Sequence, residues 1–72
     1  MSVIIGEVAK GNSQKIIVAT NEYKGKEYVD VRLHYEGEDG EFYPTKKGIT
    51  LTSEVIPEII KMINKGAKEL KQ

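Results

Sequence analysis

From Glu27 to Tyr35 the side chains alternate without a break. Val29, Val31, Leu33 and Tyr35 fall on one parity, and Tyr28, Asp30, Arg32 and His34 on the other. A period of two over this length predicts a strand with two chemically different faces. From Ser53 onward the period changes: Ile56, Ile59, Ile60, Ile63, Ala67 and Leu70 recur at helical spacing, with Lys61, Lys65, Lys68 and Lys71 mostly off that stripe. A chain whose period switches once in this way is built from strands first and a helix last.

The segments before Glu27 fill in the sheet. Residues 3 to 10 are apolar and β-prone, interrupted by Gly6, and read as a weak first strand. Gly11-Asn12-Ser13 marks a turn, and Ile16 to Tyr23 a second strand with Ile16, Val18 and Thr20 on one face. Lys24-Gly25 sits at a tight hairpin, and Asp39-Gly40 signals another within an acidic loop. Phe42 to Leu51 reads as a fourth strand, with Pro44 placing it at an edge or a bulge. Thr52 or Ser53 is the expected N-cap, Glu54 and Glu58 suit the positive end of the dipole, and Pro57 belongs in the first turn. Gly66 either ends the helix or admits another backbone. The expected fold is α+β: a curved four-stranded antiparallel sheet followed by one C-terminal helix that covers one face.

Size and composition narrow the options. Seventy-two residues make one domain, 1–72, and bury too little surface for a lone monomer to be more than marginally stable. The long apolar stripe around Ile59, Ile63 and Gly66 therefore predicts a homodimer. No cysteine is present, which excludes disulfides and thiolate metal sites and suits a reducing, cytoplasmic setting. Val3-Ile4-Ile5 is too short for a signal segment, and nothing approaches a membrane span.

Chemistry is suggested at two basic corners. Tyr23-Lys24-Gly25-Lys26 offers a π face for a base and cations for its phosphates, the combination that single-strand binders use. Pro44-Thr45-Lys46-Lys47-Gly48 forms the second corner, with Arg32 on the strand between. Eleven basic and eleven acidic residues cancel, against the basic excess usual in nucleic-acid binders. The charges are segregated, however. Glu36, Glu38, Asp39 and Glu41 crowd one loop, while Lys24, Lys26, Arg32, Lys46 and Lys47 crowd the corners.

In order and spacing, these residues resemble the single-stranded-DNA-binding domain of the transcriptional coactivator positive cofactor 4, in its bacterial form. The resemblance runs from about Ile16 into the helix. It implies a dimer whose curved sheets hold single strands with little sequence preference, supporting transcription, replication or repair. Tyr23 matches the family's stacking aromatic, Lys24 and Lys26 its hairpin phosphate contacts, and Arg32 its strand arginine. Tyr35 stands where the family often has a stacking tryptophan. Pro44, Lys46, Lys47 and Gly48 match its second basic corner, with Thr45-Lys46 replacing a more flexible, arginine-bearing version. By alternation Tyr35 and Arg32 point to opposite faces. They reach one groove only through a bulge or curl near His34, or if Tyr35 projects past the sheet edge.

Plainer roles compete at each position. Half-buried strand tyrosines usually pack, loop lysines usually discourage edge pairing, and Arg32 has Asp30 as a ready ion-pair partner. His34 has no second histidine to share a metal, and the acidic loop lacks the ligand spacing of a calcium site. No serine has a histidine and carboxylate to activate it, so neither catalysis nor a cofactor is expected. A protein-interaction module contacting transcription machinery and an RNA-selective single-strand binder remain the alternative readings.

Overall fold

The computed structural model describes residues 2–70. Four strands, β1 (Val3–Lys10), β2 (Gln14–Tyr23), β3 (Lys26–Glu36) and β4 (Phe42–Thr52), precede one helix, α1 (Ile56–Glu69). The strands form a single antiparallel sheet in the order β1-β2-β3-β4, so each strand pairs with its neighbour in sequence. The molecule is flat, 42 × 38 × 18 Å.

The β2–β3 ladder is the regular centre, running from Gln14 opposite Tyr35 to Tyr23 opposite Lys26 without a shift. It closes at Lys24-Gly25, where both residues take positive φ, 52° and 80°. Positive φ at both central positions makes a type I′ turn, whose twist matches that of the flanking strands. β2 begins two residues earlier than its apolar alternation indicates, because β3 is long enough to pair with Gln14 and Lys15.

Alternation gives the sheet two faces. The Tyr23 face carries Lys15, Ile17, Ala19 and Asn21 of β2 with Tyr28, Asp30, Arg32 and His34 of β3. The Tyr35 face carries Ile16, Val18 and Thr20 with Val29, Val31 and Leu33, and across β4 it adds Ile49 and Leu51. Among the described residues the buried apolar side chains are Ile17, on the first face, and Leu51, on the second.

Two outer-strand irregularities flank this centre. In β1, Ile5 is unmatched between Ile4 and Gly6. In β4, Gly48 opposes Arg32 and Pro44 opposes His34, so Thr45, Lys46 and Lys47 together face Leu33. Pro44 thus lies at a bulged outer strand, as its lack of an N–H requires.

The helix departs from expectation in three ways. Neither Thr52 nor Ser53 caps it: the N-cap is Val55, with no side-chain cap bond, and the turn is held by Val55 N–H donating to the Thr52 carbonyl at 3.1 Å. Gly66 does not end it, since α1 continues to Glu69, and among the described residues nothing outside the helix approaches within 4 Å of a Cβ placed there. Most consequentially, the helix does not cover the sheet within one chain. None of its residues is buried, and Ile60, Met62 and Ile63 are exposed. It is also too short and too polar to cross a membrane.

Candidate nucleic-acid interface

The first corner lies at the tip of the β2–β3 hairpin. Tyr23 is 64% exposed, so its ring is not a packing residue of this chain. The Lys24 ammonium sits 5.4 Å from that ring's centroid, within cation–π range, and Lys26 pairs across from Tyr23. The I′ turn places Lys24 there, at a φ that lysine rarely adopts.

The second corner is the β4 bulge, and its polar groups are satisfied from within. The Thr45 hydroxyl donates to the Leu33 carbonyl at 2.8 Å and accepts from Lys47 N–H at 3.1 Å. Arg32 Nη1 donates to the Thr45 carbonyl at 2.9 Å. The backbone of three residues is thereby folded over one partner, leaving the Lys46 and Lys47 side chains exposed.

Arg32 is occupied. Its Nε and Nη2 donate to the two Asp30 carboxylate oxygens at 3.1 and 2.9 Å, and both side chains are about a fifth exposed. The Asp30 hydrogen bond, and then its charge, raises the Arg32 pKa further above its ordinary value. With its charge paired and a third donor on Thr45, Arg32 shapes the corner that displays the lysines.

The bulge does not bring Tyr35 to the Arg32 face. The surplus residues all belong to β4, and β3 stays in register with β2, so Tyr35 and Arg32 remain on opposite faces. Nor do the corners meet in one chain. Lys26 and Arg32 are six strand residues apart, about 20 Å, and Tyr35 lies about 30 Å from Lys26.

Around Tyr35 the structure assembles residues that sequence reasoning passed over. Tyr43 opposes it directly across β3–β4, with ring centroids 6.0 Å apart and planes tilted by 42°. The Tyr43 hydroxyl donates to Asp39, whose other oxygen accepts Glu41 N–H at 3.0 Å. These bonds, Tyr43 first, hold the Asp39 carboxyl below its ordinary pKa, and the Asp39 bond raises that of Tyr43. On the same face Lys10 and Lys47 border a cleft lined by Ile16, Val31 and Leu33. On the other face Lys15 lies 4.2 Å from the Phe42 ring centroid and pairs with Glu7 at 2.8 Å. Among the described residues no acidic, histidine or cysteine group is arranged to hold a metal ion.

The family model described as Transcriptional Coactivator p15 (PC4) matches residues 10–62, most of the chain. The chain belongs to the PC4 family. This is a DNA-binding family. A PC4 homolog from Burkholderia pseudomallei, solved in an orthorhombic crystal form, is similar to this chain with a TM-score of 0.88 and 34% identity, covering 93% of this chain and 90% of that one. Its tetragonal form gives 0.87 and 33%, covering 93% and 98%. The bacteriophage T5 homolog of the eukaryotic transcription coactivator PC4, implicated in recombination-dependent DNA replication, shares the fold. Its TM-score is 0.69 at 18% identity, covering 96% of this chain and 77% of that one. No curated protein matches the sequence.

Proposed function

We propose that this PC4-family chain acts as a homodimer that binds single-stranded DNA with little sequence preference. The observation that carries this reading is the Tyr23 corner: a ring 64% exposed, with one lysine over it and another beside it. A base stacked on such a ring leaves its phosphates within reach of both ammonium groups, and any of the bases can supply the π face. Lys46 and Lys47 at the β4 bulge supply a second set of cations. Pairing of two chains through α1 is supported by a helix with an apolar stripe and no buried residue, on a sheet with little core of its own. The reading is of a binding protein and assigns no catalytic group.

The test is fluorescence anisotropy of a labelled single strand of about 20 nucleotides against the matching duplex and the matching RNA, over a salt series. Preference for the single strand, with a log–log salt slope near −0.7 per phosphate contacted, supports the reading. Tighter binding of the RNA redirects it to RNA, since the 2′-hydroxyl is the difference. No binding at low salt by folded protein overturns it and leaves a protein partner as the target.

A further inference from the structure

We propose that Tyr43 is a second base-stacking residue, which with Tyr35 holds two successive unpaired bases at the acidic end of the sheet. The inference rests on the single-strand reading above and adds a site at the opposite end from Tyr23. Tyr35 and Tyr43 are 47% and 40% exposed, although each is large enough to bury most of itself in a core. Their rings meet at 6.0 Å with a 42° tilt, so both cannot lie parallel to one base. The pair suits two neighbouring bases that have come apart from each other, as in an extended single strand.

Tyr43 is held ready for this. Its hydroxyl is bonded to Asp39, and its ring lies against Gly37, where a Cβ would come 2.8 Å from Cε2. A ring already fixed loses little further freedom when a base stacks on it.

The charges around the pair sort bases from phosphates. Glu36, Glu38 and Asp39 share a shallow cleft with the two rings, and their like charge keeps phosphates out of it. On the same face, Lys10, in the row of Tyr35 and Tyr43, and Lys47, at the bulge opposite Leu33, border the neighbouring cleft. A strand can therefore lay its bases on the tyrosines with its backbone drawn towards the lysines. A duplex, which presents phosphates outermost and bases within, meets the carboxylates instead. The tyrosine pair and its acidic rim thus select for unpaired strands.

The experiment compares Tyr43→Leu and Tyr43→Phe with the wild-type protein, using the same labelled single strand and duplex. Tyr43→Leu should weaken single-strand binding by about fivefold or more while leaving the salt slope unchanged, because no phosphate contact is lost. Tyr43→Phe, which keeps the ring and loses the Asp39 bond, should restore most of that affinity. Wild-type affinity in the leucine variant, or equal losses in both variants, overturns the proposal. Should the leucine variant fail to fold, wild-type protein irradiated with a 5-iodouracil-substituted single strand decides instead: a crosslink mapped to Tyr43 supports stacking, and crosslinks confined to other residues overturn it. Wild-type protein that binds no single strand removes the underlying reading as well. A wild-type protein that binds but is indifferent to Tyr43 removes this proposal alone.

Discussion

The Arg32 side chain lies across Gly48, its partner on β4, so closely that a Cβ at Gly48 would sit 2.8 Å from the guanidinium carbon. The same Cβ would come 2.7 Å from the Val31 carbonyl oxygen, which is backbone and cannot swing aside. Gly48→Ala is expected to destabilise the fold by about 1–3 kcal/mol through overpacking. Urea unfolding measures this, and a midpoint equal to wild type would show that β4 shifts freely.

Lys24 takes a φ of 52° where type I′ turns favour asparagine. Lys24→Asn should therefore hold or raise the thermal midpoint while lowering single-strand affinity. The salt slope should shrink by about 0.7, the share of one phosphate contact. Unchanged affinity would mark Lys24 as a turn residue alone.

Tyr23 is exposed, so Tyr23→Ala should leave the fold intact. Single-strand affinity should fall about fivefold or more, the loss of one stacked base. Circular dichroism and anisotropy on the same samples separate the two effects.

The Asp39–Tyr43 bond gives the hairpin end a pH window. Asp39 is depressed below 3.8 in the folded state, so its contribution is present above that value and lost as pH falls through the folded pKa. Tyr43 is raised above 10.0, so its contribution is full below that value and lost as pH rises through its folded pKa. Carbon-detected NMR titration should place the Asp39 midpoint below 3.8, and Tyr43→Phe should move it back up. A midpoint unchanged by that substitution would show that the bond does not persist in solution.

Ile63 is 64% exposed on α1, and in an isolated chain Ile63→Lys would be nearly neutral. If α1 pairs with a second copy, the lysine puts an unpaired charge in the interface. Sedimentation at micromolar protein should then show a dimer for wild type and a monomer for the variant. A wild-type monomer refutes the pairing.

The alternation from Glu27 to Tyr35 was enough to read β3 and its two faces, because a one-residue slip would have inverted every side chain. The change of period after Ser53 likewise marked the helix. What covers that helix was not legible, since an apolar stripe looks the same whether it meets its own sheet or another molecule. Tyr43 escaped notice for a reason of register. A two-residue turn at Asp39-Gly40 would oppose Tyr35 to Pro44. The chain instead closes with Gly37 N–H on the Glu41 carbonyl, which shifts the pairing by one residue and sets Tyr35 against Tyr43. The bulge was only hinted at by Pro44, and its location on β4 depends on bonds from Thr45 that no local pattern announces.

Thr45, Lys46 and Lys47 oppose Leu33 alone, so the two surplus residues fall entirely on the edge strand β4, while the β2–β3 ladder beside it runs on unshifted. The corner therefore behaves as a replaceable segment. No β2–β3 pair depends on its length or its charge, and in this chain the Thr45 hydroxyl at its start and Gly48 at its end pin it. If Lys46 and Lys47 hold phosphates as proposed, affinity for a polyanion is set here independently of the fold.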